Sequence, residues 1–337
     1  MGDQEQFVTI ADKVYKYGIK HTVEKLEADW KSSCYILGAL AGYRITSDEK
    51  YLQYALRWAR ENDWKFYVNQ KGPKPHYKNA DNITCAQIYL PLMEMTGEGS
   101  DQSILEELSV TLEDGRTDYW KWCDLVHMGL PVYHMFANKY SNPAFAEKGY
   151  ALFMNCKNEL QLYDKEEHLW YRDSDYLPDK KLTPSGKKIF WGRGQGWVLT
   201  GLVRALELVE KDSKYYQEYS NVLRETAEAL LPWQQEEGMW RCSIFDPEQY
   251  DIPETSATVL ISYALAKGIE LGILEREKYL PCVLKAFHAM VTICLNEEGR
   301  LGYVQGVAGW PGPVYQDGTE GYAIGSFVCL CEVLLKL

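Results

Sequence analysis

ATVLISYALAKGI (257–269) is apolar around most of its circumference, and LTGLVRALELV (199–209) shares the property. A helix lying on a core needs one apolar stripe, whereas a helix apolar on all sides must be enclosed on several. YLQYALRWAR (51–60) is the contrasting type, with Leu52, Ala55, Leu56 and Ala59 on a single stripe as an outer helix requires. Two helix classes in one chain predict two concentric layers. Almost no stretch alternates with period two, so the spacing predicts an all-α protein.

The enclosed helices recur. DWKSSCYILGALAGY opens at 29, NADNITCAQIYLPLMEM at 79 and WCDLVHMGLPVYHMFANKY at 122. FWGRGQGWVLTGLVRALEL follows at 190, PETSATVLISYALAKGIEL at 253 and GTEGYAIGSFVCLCEVLL at 318. Each interval holds one inner helix, a turn and one outer helix; several outer helices open on Tyr or Phe, as in ITSDEKYLQYALRWA and YSNPAFAEKGYALFM. Self-similarity at this period marks a repeat architecture. Six hairpins closing on themselves make an (α/α)6 barrel spanning 1–337 as one domain; an open solenoid would need a polar capping repeat, and the last helix is apolar. Closure brings the N-terminal ends of the inner helices, and the clusters that open them, to one mouth.

Composition narrows the function. The 337 residues carry 36 Lys plus Arg against 48 Asp plus Glu, a net charge of −12, which argues against a grip on duplex nucleic acid. Hydrophobic residues make up 46%, which excludes disorder, and no run is long enough to span a membrane. The nine cysteines (34, 85, 123, 156, 242, 282, 294, 329, 331) lie largely in apolar helical runs with no metal-ligand spacing, and read as buried free thiols. No metal or cofactor is expected. The first residues lack an apolar signal core, so the expected compartment is the cytoplasm, or the periplasm if a leader has been removed. Oligomeric state stays open between monomer and dimer. The 11 Trp and 25 Tyr exceed what packing needs, and such rings match the apolar faces of sugars.

The mouth clusters carry the candidate chemistry. Asp81 and Asp124 each open an inner helix, and each is either an N-cap or a working acid. Trp120, Trp122 and Cys123 precede Asp124, and Leu125, Val126 and Met128 follow it, a setting that raises a carboxyl pKa and suits a general acid. Trp191 and Trp197 are candidate stacking walls, Arg193 a candidate anion or hydroxyl ligand, and Trp30 a further sugar contact; the alternative for FWGRGQGW is a Gly-rich turn stapled by Trp. Arg172 in WYRDSDY is a carboxylate clamp or a solvated ion pair. Glu254 and Ser256 read as caps, Glu320 has the same two readings, and His127 either bonds Asp124 or is satisfied in the core.

WCDLVHMGLPV, FWGRGQGWVLTGLVRAL, ETSATVLISYALAKGI and QDGTEGYAIGSFVCL resemble, in order and over nearly the whole chain, the signature blocks of the unsaturated glucuronyl and rhamnogalacturonyl hydrolases, glycoside hydrolase families 88 and 105. The similarity is closer to the second. The resemblance implies the (α/α)6 barrel and an enzyme that removes a 4,5-unsaturated uronic acid from the non-reducing end of lyase-generated oligosaccharides, with pectin or rhamnogalacturonan fragments as the expected substrates. It also implies the mechanism: an acid protonates the vinyl ether, water adds at C5, and the hemiketal opens and releases the next sugar. By resemblance Asp124 is the acid/base, Asp81 its acidic partner, and Trp122, Trp191, Arg193 and Trp197 line the pocket. This chain departs from the pattern at Arg172, where many members carry a His, which implies a shifted substrate preference. Two alternatives stay open on the residues alone: an inverting glycosidase using Asp124 and Asp81 around a water, and a barrel that binds oligosaccharide without turnover.

Overall fold

A computed structural model describes residues 3–21, 25–72 and 74–337. The inner layer consists of α2 (Trp30–Thr46), the pair α4 (Ala80–Ile83) and α5 (Ala86–Thr96), α7 (Leu125–Lys139), α9 (Gly192–Leu206), α11 (Thr255–Glu270) and α13 (Gly321–Leu334). Around it lie α1 (Asp3–His21), α3 (Glu49–Glu61), α6 (Gln102–Glu113), α8 (Pro143–Met154), α10 (Lys214–Leu230) and α12 (Arg276–Ala289). Each inner helix packs on its neighbours in chain order, and α13 packs on α2 to close the ring. The expected all-α (α/α)6 barrel is therefore present. Among the described residues, β pairing is confined to isolated bridges.

The two helix classes differ as the sequence predicts. In α11 every residue from Thr255 to Ile269 is buried, whereas α3 buries one stripe made of Tyr51, Leu52, Ala55, Leu56, Trp58 and Ala59. Caps set the starts. Asp29 accepts from Ser32 N at the head of α2, Asn142 precedes Pro143 at the head of α8, and the Glu254 carboxylate accepts from Ser256 N and Ala257 N at the head of α11. The cap reading of Glu254 is thus the correct one. All nine cysteines are free thiols, eight of them buried.

One hairpin is not made from consecutive helices. Among the described residues no helix follows α13; α1 packs against both α13 and α2 and supplies the outer partner of the sixth hairpin. The α2–α13 contact is a meeting of backbones, since a Cβ built on Gly38 would lie 2.6 Å from Cα of Gly325. Only glycine permits that approach.

Candidate active site

The loops that lead into the inner helices converge as expected. The strand-like bridge between Trp122 and Asp173, with Cys123 N donating to Arg172 O at 2.8 Å, lays the WYRDSDY loop beside the head of α7. That pairing carries Arg172 to Asp124: its Nε lies 3.9 Å from Asp124 Oδ2. The guanidinium sits over the Trp122 ring, 5.1 Å from its centroid, and donates from NH1 to Asp173. Arg172 Nε itself is buried without a hydrogen-bond partner. A buried, unpaired guanidinium N–H is costly unless a ligand or neighbour uses it.

Asp124 occupies the residue before α7, but its side chain makes no capping bond. Its Oδ1 accepts only the Cys123 thiol, at 3.4 Å, and the side chain is 13% exposed. Burial pushes its pKa up, while the charges of Arg172 and Arg193 pull it down. Asp81 is likewise free of cap duty, because Asn79 caps α4 and accepts from Asp81 N. Burial, then the negative charge of Asp124, push the Asp81 carboxyl up to about 7, with Arg172 opposing. Asp29 adds a third negative charge within range of Asp81. The two carboxyls and one cation form a group in which a proton is retained near neutrality.

A stability test arises from Asp81. Its folded pKa of about 7 stands above the ordinary 3.8, so the folded chain keeps a proton that the unfolded chain releases. Stability therefore falls as pH rises from about 4 to about 7 and levels off above. Asp81→Asn escapes that loss: its advantage over the native chain in urea midpoint is expected to be small at pH 4.5 and largest at pH 8. An advantage of constant size across that range would show that Asp81 is not held protonated.

The other candidate residues divide. Trp122 and Trp30 are half-buried; Trp30 stacks on Tyr322 at 5.5 Å. Trp191, Trp197 and Arg193 are each 1% exposed. Trp197 packs on His127 at 4.8 Å, and Trp191 Nε1 donates to Gln305 Oε1 at 2.8 Å. Arg193 lies between the rings of Trp191 and Tyr322; NH1 donates to Ser256 Oγ, Tyr322 OH and Gln305 O, NH2 to Gly306 O and Ala308 O, and its buried Nε has no hydrogen-bond partner. Its NH1 and NH2 groups thus tie helix α9 to the loop before α13. His127 bonds Thr200 Oγ1 at 2.9 Å and the Cys34 thiol at 3.6 Å rather than Asp124, and burial drives its pKa well down, so it is a neutral core residue.

Asp29, Tyr322 and the 305–316 loop were not singled out as site residues by sequence reasoning. Asp29 caps α2 in the structure, and the loop contains the stretch GWPGPVY (309–315), whose Trp, Tyr and two prolines are the available signal. Glu320, at the head of α13, makes no capping bond, and burial pushes its pKa up against the charges of Lys31 and Arg193. Among the described residues no group of His, Cys, Asp and Glu is placed to hold a metal ion, and no helix is long and apolar enough to cross a membrane.

Comparison with known proteins places the chain in a family. The chain is 32% identical over 327 residues, 92% of its length and 85% of the relative's, to a protein of Formosa agariphila named unsaturated 3S-rhamnoglycuronyl hydrolase. A solved structure named glycosyl hydrolase family 88 from Bacteroides vulgatus superposes with a TM-score of 0.91 at 29% identity, covering 99% of both chains. Another, named as a polysaccharide lyase, superposes with a TM-score of 0.93 at 30% identity, covering 99% of this chain and 98% of the other. The family model described as Glycosyl Hydrolase Family 88 matches residues 6–334, and with that the chain belongs to glycosyl hydrolase family 88.

Proposed function

We propose that this glycoside hydrolase removes a 4,5-unsaturated uronic acid from the non-reducing end of an oligosaccharide left by a polysaccharide lyase, by hydrating the vinyl ether. The observation that carries the reading is Asp124: a buried carboxyl with no capping duty, beside a second raised carboxyl and an unpaired arginine N–H. In this reading Asp124 gives its proton to C4, water adds at C5, and the resulting hemiketal opens with release of the neighbouring sugar. Asp124 then takes a proton from the attacking water, while Asp81 holds the second proton position of the pair. Arg172 receives the uronate carboxylate, and Trp122 and Trp30 flank the ring. The name of the Formosa relative supports a rhamnose on the leaving side, so unsaturated uronyl–rhamnose fragments are the expected class.

The reaction is separable from its rivals by one absorbance trace. Hydration consumes the conjugated double bond, so ultraviolet absorbance of lyase-generated disaccharides is expected to fall with enzyme. A rise on intact polysaccharide would mark a lyase. Cleavage of saturated glycosides with no change on the unsaturated ones would mark an inverting glycosidase, and binding without any change a non-catalytic barrel.

A further inference from the structure

The loop before α13 is wired from beneath and bare above. Its base closes through Tyr303 N to Gln316 O at 3.2 Å and Val304 N to Gly318 O at 3.0 Å. Gln305 N donates to Glu254 Oε1 at 3.0 Å, and the Gln305 side chain accepts from Trp191 Nε1 and donates to Trp310 O at 2.9 Å. Arg193 takes the carbonyls of Gln305, Gly306 and Ala308. Pro311 and Pro313 stiffen the descending half of the loop. Such a segment holds one shape without a ligand.

Its upper surface is apolar and open. Val307 is 59% exposed, Trp310 53% and Tyr315 67%, and among the described residues Trp310 is the one exposed tryptophan. A rigid loop that spends so many internal bonds to present an indole to water is unexplained by packing. Its place is set by Gly309, whose Cβ position would lie 3.0 Å from the Arg172 guanidinium carbon. Arg172 in turn stands 3.9 Å from Asp124. Trp310 follows directly on Gly309, the residue of the loop that packs against the Arg172 guanidinium.

We propose that Trp310 is the platform for the sugar on the leaving side of the scissile bond, stacking its indole against the apolar face of that ring. This rests on the hydrolase reading. It also gives Arg193 a second role, as a positioning residue without substrate contact, because its hold on the loop carbonyls sets the height of the platform above Arg172. A flat apolar ring selects a sugar with a C–H face, such as a 6-deoxyhexose, and tolerates differences in hydroxyl and ester groups at its edge.

The test compares two substrates that share the unsaturated uronate, one joined to rhamnose and one to methyl. In the native enzyme the rhamnoside is expected to have the higher kcat/KM. Trp310→Ala is expected to lower the ratio of the two kcat/KM values about tenfold or more, the scale of losing one large apolar contact, with KM carrying most of the change, and Trp310→Phe is expected to restore most of the ratio. Equal losses on both glycosides would show that the loop only supports the fold, and an unchanged ratio would show that the ring does not touch the leaving sugar. A change in sedimentation of Trp310→Ala with an unchanged ratio would assign the surface to self-association instead. A native enzyme that consumes neither glycoside overturns the hydrolase reading and the platform's ligand with it.

Discussion

Asp124→Asn is expected to lower kcat by about 10³–10⁴-fold while leaving substrate affinity intact, the scale of a general acid–base group lost from the transition state. The amide keeps the volume and cannot deliver a proton to carbon or accept one from water. Affinity is expected to hold, because the neutral amide stands in for the protonated acid and leaves Arg172 in place to meet the uronate. Titration calorimetry with an unsaturated disaccharide measures the binding, and the absorbance decay measures the rate. Asp81 is the rival, since its carboxyl is pushed up to about 7 in the same group. Retention of more than a tenth of the native rate in Asp124→Asn, with loss in Asp81→Asn, would exchange the two roles.

Arg172→Ala is expected to act on binding and on pH dependence together. A charge-assisted hydrogen bond contributes about 1.5–3 kcal/mol, so KM for the uronate should rise about 10- to 150-fold. The second effect has a definite sign. Arg172 lowers the pKa of Asp124, so its removal raises that pKa. An acid that must be protonated loses activity as pH climbs through its pKa, and the alkaline limb of the profile should therefore move to higher pH. An unchanged KM removes Arg172 from the clamp role; a raised KM with an unmoved limb leaves the clamp and removes the coupling to Asp124. Arg172→His is expected to recover affinity only on the acid side, where imidazole is charged.

The barrel was legible because its signal is physical and distributed. α11 is apolar on every side, α3 on one, and no arrangement other than two layers satisfies both. Asp124 stood out because a carboxyl amid indoles and apolar side chains is expensive, and the fold brings Asp81 into electrostatic range of it. Local patterning hid where side chains spend their donors. The guanidinium of Arg193 has the right company for an anion site, yet five oxygens of the protein claim it. Likewise the periodicity that reveals helices is silent for GWPGPVY, so the loop before α13 was invisible until its carbonyls were seen against Arg193. The role of α1 was hidden for a third reason: nothing in its own residues says that it belongs with α13.

That last pairing governs how the molecule comes into being. During synthesis α2 emerges long before α13, and Gly38 waits for Gly325 until the hairpins between them have left the ribosome. Ring formation is thus a late, long-range event, the kind that folds slowly and leaves greasy surface uncovered in the interim. Substitutions that add bulk at Gly38 or Gly325 are therefore expected to show first as a poor yield of folded material.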